Sequence, residues 1–181
     1  YVTVHDKHLI AAGVEDNLNT IFYSGTLDPT DFTSTGSGSI ALEDQIKGIK
    51  SFRNELFIFC ENSIFKLQNI NNSSTIAVVP VTKNVGCLSG HSIQEIAGDL
   101  IFLAPDGLRT VAGTARIGDV ELGTVTSSIQ NLVSDLAETI NLYTINSVVL
   151  REKSQYRLFY TNTGAADSTQ RGIIGTLRPN G

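Results

Sequence analysis

Apolar residues along this chain come in short runs of four or five, rich in Ile, Val, Leu, Phe and Tyr, separated by clusters of Gly, Asn, Asp, Ser and Pro. Runs this short, bounded by turn formers, predict many β-strands joined by tight turns. Four of them can be laid over one another: Leu9-Ile10-Ala11-Ala12-Gly13, Leu56-Phe57-Ile58-Phe59-Cys60, Leu100-Ile101-Phe102-Leu103-Ala104 and Tyr156-Arg157-Leu158-Phe159-Tyr160. A polar residue, His8, Glu55, Asp99 or Gln155, stands just before each run, and an aliphatic one, Val2, Ile49, Ile93 or Val149, stands seven positions before it. A second strand is expected after each: Thr20 to Tyr23, Ser63 to Leu67, Leu108 to Val111 and Gly172 to Gly175. Asn62 and Gly107 sit in the intervening turns, as residues that tolerate the positive φ of tight hairpins.

The run starts are 47, 44 and 56 residues apart, a period that suits propeller blades of three or four strands. The predicted class is all-β, with propeller-like repeats of short antiparallel strands and one inserted helix. The blade-like units span about 1–27, 45–68, 90–112 and 144–177, all within one propeller domain. A β-sandwich is the rival architecture, since many short strands with regular turns fit it too. The helix is expected over 127–142, where Ile129, Leu132, Val133, Leu136 and Ile140 share a face and Ser127 with Gln130 has capping-box spacing. Its polar face, Asn131, Ser134, Asp135 and Glu138, is a candidate interface with a partner subunit, as is the 24–40 loop. Residues 33–39 read as a flexible loop and Asn69 to Thr75 as another exposed one.

The 181 residues include 13 basic and 18 acidic side chains, a formal charge of −5. A chain of this length buries enough surface to make intrinsic disorder a poor description. Lys and Arg are not clustered, which disfavours sequence-reading of duplex nucleic acid, where phosphates demand a basic footprint. Cys60 and Cys87 are 27 residues apart with no Cys-x-x-Cys spacing, so two buried thiols in a reducing setting are expected. No stretch approaches the roughly 20 apolar residues of a membrane helix, and the first thirty residues lack the order of a signal peptide. The start at Tyr1 and the end at Arg178-Pro179-Asn180-Gly181 read as a piece of a longer protein.

Little chemistry is written in the side chains. His5 and His8, three apart with Asp6 between, would point to opposite faces of a single strand and read as surface histidines. Cys60 or Ser92 with His91 has no nucleophile-elbow context, and an apolar run leaves a thiol inert. Asp28, Asp31, Asp99 and Asp106 are the more tempting set, because propeller glycosidases gather acids at a channel mouth. Asp28-Pro29 and Asp106-Gly107 are equally ordinary turn formers. The arginines, Arg53, Arg109, Arg116, Arg151, Arg157, Arg171 and Arg178, form no organised motif. No phosphate-binding loop is present. The expectation is a protein without catalytic residues, cofactor or metal.

One stretch resembles a known family. Phe22-Tyr23-Ser24-Gly25-Thr26-Leu27-Asp28-Pro29-Thr30-Asp31-Phe32-Thr33 is similar to a signature of β-propeller tail proteins of short-tailed bacteriophages, the tail nozzle, tubular or packaged-DNA-stabilisation proteins. The resemblance continues through Ile49 to Phe65, Val85-Gly86-Cys87, Ser92 and Ile101 to Arg109, covering about residues 5 to 150. It implies a scaffold in which Asp28, Pro29, Asp31 and Phe32 turn the chain and bury an aromatic anchor, Gly86 permits a tight approach, and Pro105-Asp106-Gly107 closes a hairpin. It further implies a structural virion protein assembled in the host cytoplasm as a homo-oligomeric ring, usually a hexamer. Such a ring contacts neighbouring tail or adaptor proteins, extends the DNA channel, and helps retain and deliver the genome. A mildly acidic wall lets DNA pass without trapping it. The alternative is a glycan-binding or glycan-cleaving propeller, with Asp28, Asp31 and Asp106 as its acids.

Overall fold

The computed structural model describes residues 1–112, 129–164 and 170–176. They form four antiparallel sheets and one α-helix, in two compact units, 1–90 and 91–181. In the first unit, sheet A runs β1 (Val2–His5), β2 (His8–Val14), β3 (Asn17–Tyr23) and β4 (Gly38–Ala41) in spatial order. Sheet B runs β5 (Ile46–Phe52), β6 (Glu55–Cys60), β7 (Ile64–Gln68) and β8 (Ala77–Thr82) in the same way. In the second unit, sheet C comprises β9 (Gln94–Ile96), β10 (Asp99–Ala104) and β11 (Gly107–Thr110), and sheet D comprises β12 (Tyr143–Leu150), β13 (Gln155–Asn162) and β14 (Gln170–Thr176). The fold class is all-β, as the short apolar runs require: each aligned run lies on the second strand of a sheet, and the polar residue before it opens that strand.

The sheets share a local device. Between the first two strands stands a two-residue turn whose two residues both have positive φ: Asp6-Lys7 (43° and 71°), Arg53-Asn54 (50° and 60°) and Ala97-Gly98 (51° and 75°). The flanking pairs are His5 with His8, Phe52 with Glu55, and Ile96 with Asp99. Such turns match the right-handed twist of the strands they join, and Asp, Asn and Gly enter the left-handed region at least cost. Sheet D departs from this, bridging Leu150 and Gln155 by Arg151 to Ser154 with Ser154 at φ 49°. The two added residues move Val149 opposite Tyr156, whereas Val2 and Ile49 face Ala11 and Ile58. Ala97 is the poorest fit to its own turn. Ala97→Asn is therefore expected to stabilise the protein by about 0.5–1 kcal/mol, read as a higher urea midpoint at unchanged slope.

Packing in the first unit follows the two-residue period of a strand. Ile10 and Ala12 of β2 and Ile21 of β3 face inward and meet Ile46, Ile49, Leu56, Ile58, Cys60 and Leu67 of sheet B. Each isoleucine or leucine among them contributes about 1.5–3 kcal/mol by leaving water. Along β6 and β10, by contrast, residues Leu56 to Cys60 and Leu100 to Ala104 are all buried on both faces, which is why their sequences are unbroken apolar runs. In the second unit, polar clasps join sheets C and D. The Tyr156 hydroxyl donates to the Ser92 carbonyl at 2.8 Å, and the Gln94 amide donates to the Ser147 carbonyl and hydroxyl at 3.0 and 3.1 Å.

Several expectations need correction. Sheets A and B have fourth strands, β4 and β8, beyond the spans 1–27 and 45–68. Gly38, expected in a flexible loop over 33–39, opens β4 and pairs with Tyr23. Asn62 does not carry positive φ; Asp44 shapes that turn instead, accepting from the Asn62 amide at 2.8 Å and the Ser63 hydroxyl at 2.7 Å. Helix α1 spans Gln130–Glu138, followed by a 3-10 turn at Ile140–Leu142. Val133 and Leu136 are buried, but Ile129 and Leu132, assigned to the same face, are exposed. Ser127, the expected capping residue, lies outside the described residues.

Candidate functional site

The loop after β3 carries the first pair of acids. The Asp28 carboxylate accepts from the Thr30 hydroxyl at 2.7 Å and the Thr30 amide at 3.0 Å. Asp31 repeats the pattern, accepting from the amides of Thr33 at 2.9 Å and Ser34 at 3.0 Å and the Thr33 hydroxyl at 3.1 Å. Each is a side-chain turn in which the carboxylate replaces a backbone acceptor. Hydrogen bonds from Thr30 hold the Asp28 carboxyl below its usual value, and those from Ser34 and Thr33 hold Asp31 down at about 2. Because the Asp31 value is depressed on folding, its contribution to the turn is complete above the ordinary carboxylate value of 3.8 and is lost as pH falls through about 2. A carboxyl-carbon NMR titration is expected to give Asp31 a midpoint near 2, with the Thr33 and Ser34 amide shifts moving in step. Phe32, expected as a buried anchor, is 38% exposed. The two acid-centred turns fix the loop without it.

The second pair lies in the other unit. Pro105 and Asp106 form a two-residue turn between Ala104 and Gly107, which pair across β10 and β11, and Gly107 takes φ 138°. Asp106 receives Arg109 side-on: Nε donates to Oδ1 at 2.7 Å and Nη2 donates to Oδ2. Arg109 is 2% exposed, so this carboxylate neutralises a buried cation. Asp99 accepts from its neighbour's amide, Leu100, at 2.8 Å, and from Ala112 at 3.1 and 3.2 Å. Asp28, Asp31 and Asp106 bind the chain within three residues of their own positions, and Asp99 reaches both its neighbour and Ala112. Asp28 and Asp31 are both held toward the ionised form, the opposite of a carboxyl ready to donate a proton.

Gly86 and the thiols form the next cluster. A methyl group at Gly86 would stand 1.9 Å from the Glu61 carbonyl oxygen and 2.5 Å from the Asn62 nitrogen, so glycine alone allows the two backbones to meet. The Cys87 amide then donates to the Cys60 carbonyl at 2.8 Å. Both cysteines are free and buried. Burial, seconded by the nearby Asp44 carboxylate, pushes the Cys60 thiol up to about 12, which keeps it protonated and unreactive at neutral pH. Asp44 is itself pushed up by burial, but hydrogen bonds from Ser63, Asn62 and Gln45 hold it lower on balance.

The histidines overturn the surface expectation. His5 and His8 are 7% and 1% exposed, and they lie on opposite strands of one hairpin, paired in register. The signal was legible: two residues between them, Asp6-Lys7, suit a tight turn, which sets its flanking residues side by side. His5 Nδ1 lies 2.9 Å from the Ser51 hydroxyl, and burial lowers the His5 pKa, with Asp6 opposing. His8 Nδ1 lies 2.5 Å from the Ser24 carbonyl and Nε2 3.0 Å from Asn71 Oδ1. Beside them a cleft of about 440 Å³ is lined by Val4, His5, Asp6, Ser51 and Asn54. Among the described residues no three His, Cys, Asp or Glu side chains gather as metal ligands.

On α1, Asn131, Asp135 and Glu138 are exposed and Ser134 is half-buried. Three of the described arginines have partners close in sequence: Arg53 lies over the Phe52 ring at 5.1 Å, Arg109 holds Asp106, and Arg157 donates to Gln155 at 2.8 Å. Arg116 and Arg178 lie outside the described residues. Among the described residues no helix is long and apolar enough to cross a membrane. Comparison of the sequence with protein-family models and with curated proteins gives no match.

Proposed function

We propose that this chain is a non-enzymatic part of a β-propeller that serves as a structural ring component of a phage tail. The observation that carries the reading is the repeated turn: three sheets place the same two-residue left-handed hairpin between their first two strands. A blade-by-blade repeat produces such equivalence. The tail setting rests on the resemblance through Asp28 to Phe32, Gly86 and Pro105-Asp106-Gly107. Residues of that motif act as scaffold here, in turns and a close backbone approach. In this role the full-length protein forms a homo-oligomeric ring in the virion, meets neighbouring tail or adaptor proteins, and lets DNA slide past a net-acidic wall.

Sedimentation velocity and negative-stain microscopy of the full-length protein test the proposal. Closed rings are the expected result, and a strictly monomeric protein at micromolar concentration overturns it. Glycan cleavage is the competing reading. It needs a carboxyl that is protonated near neutral pH, whereas Asp28 and Asp31 are both shifted the other way. Glycan binding or hydrolysis that disappears in Asp28→Asn and Asp31→Asn variants would favour that reading instead.

A further inference from the structure

The buried His8 side chain has a hydrogen-bonding problem with two solutions. Its Nδ1 faces the Ser24 carbonyl, an acceptor only, so Nδ1 carries a proton. Its Nε2 faces Asn71 Oδ1 at 3.0 Å. The Asn71 amide cannot be turned around, because its nitrogen donates to the Asp6 carboxylate and lies 3.5 Å from the Asp6 carbonyl, two groups that only accept. Nε2 must therefore donate as well. Both ring nitrogens carrying protons means an imidazolium, with the Asp6 carboxylate on the far side of Asn71 as its counter-charge.

The same nitrogen has a second neighbour. Thr26 Oγ1 lies 3.4 Å from Nε2, and a hydroxyl can donate to an unprotonated nitrogen as readily as it can accept. We propose that His8 is a proton-operated latch: the imidazolium adds a second tie, beside the one to Asp6, between Asn71 of the 69–75 loop and the β1–β2 hairpin, and the neutral ring pairs with the Thr26 hydroxyl and gives up its bond to Asn71, which then keeps Asp6 alone. The step is a loss of the Nε2 proton to solvent, with Nδ1 still held by Ser24. Left facing Asn71 Oδ1, the bare Nε2 would set lone pair against lone pair, which weakens the loop's hold on the hairpin while Ile70 stays buried and Asn71 stays bonded to Asp6.

The groups around the ring agree with this. His5 faces His8 across the β1–β2 pair, Asp6 and Lys7 form the turn between them, and the Tyr23 ring of β3 stands edge-on at 6.0 Å. Residues 69–75 contain no ionisable side chain, so the loop contributes only the Asn71 amide to the balance. It holds its shape by its own bonds, from the Asn72 amide to Asn69 O at 2.9 Å and from the Ile76 amide to Asn72 O at 2.8 Å.

Nitrogen NMR of the His8 ring in the unaltered protein is the decisive measurement, joined to amide hydrogen exchange corrected for intrinsic rates. At pH 5 both ring nitrogens are expected to carry protons; at pH 8 only Nδ1 is. The Asn72, Thr75 and Ile76 amides are expected to exchange about tenfold faster at pH 8, the loss of one charge-assisted hydrogen bond. Thr26→Val removes the partner of the neutral ring and is expected to move the change to higher pH, while Asn71→Ala abolishes it. A ring that carries a single proton at pH 5, or corrected exchange that is equal at the two pH values, overturns the latch.

Discussion

Gly86→Ala is expected to cost about 3 kcal/mol or more and to lower the melting temperature of the first unit by about 12 °C or more. The added carbon would lie 1.9 Å from the Glu61 carbonyl oxygen, 2.2 Å from its carbon and 2.5 Å from the Asn62 nitrogen. These are backbone atoms at the end of β6, in a turn already fixed by Asp44, so no side chain can swing aside. The segment must retreat, and the bond from the Cys87 amide to the Cys60 carbonyl goes with it. Gly86 has no positive φ, so the loss is steric and not conformational. Urea unfolding measures it, with Gly164→Ala as the control. A carbon at Gly164 would meet, among the described residues, the Asn162 side chain at 3.6 Å, and should change stability by less than about 0.5 kcal/mol. Equal midpoints for Gly86→Ala and the unaltered protein would mean that these two backbones do not approach as described.

Asp106→Ala is expected to destabilise the second unit by about 2–3 kcal/mol. It strips a bidentate partner from a guanidinium that is 2% exposed. A buried cation without its counter-charge costs more than the pair itself was worth. The Asp106 side chain is 42% exposed, so water softens the penalty and brings it to or below the bottom of the range for fully buried pairs. The double variant Asp106→Ala, Arg109→Leu separates the two effects. It should recover most of the loss, because an apolar side chain replaces the stranded charge. If Asp106→Ala instead leaves stability untouched and removes binding to a glycan, Asp106 is a ligand-contacting acid and not a brace.

The glycine and the aspartate were both visible in the sequence, but for different reasons and to different depths. Pro105-Asp106-Gly107 announces a turn by residue type alone, since proline presets φ and glycine accepts the strained position. That Asp106 also holds Arg109 depends on a hairpin register that brings the third residue on back over the turn. Gly86 is one of 16 glycines. Its importance comes from a chain segment 25 positions away, which no local pattern records. Asp28 and Asp31 followed their local chemistry, bonding amides and hydroxyls two or three residues onward. Phe32 did not, because burial of an aromatic ring depends on what the fold sets beside it.

Periodicity and turn chemistry are short-range, so the sequence by itself determined the all-β class, the four strand runs with their opening polar residues, and the acid-centred turns. Tertiary structure alone decided the rest. Packing from residue 71, 63 positions further on, closed over the His8 ring. Of the fourth strands, β4 has only four residues and β8 is interrupted by Pro80, and both pair with backbone that β3 and β7 offered at their edges. The charge state of a buried imidazole and the tolerance of one glycine are set by groups distant in sequence. They become fixed only when hydrophobic burial brings those groups within reach, and contacts of that kind leave no period in the chain.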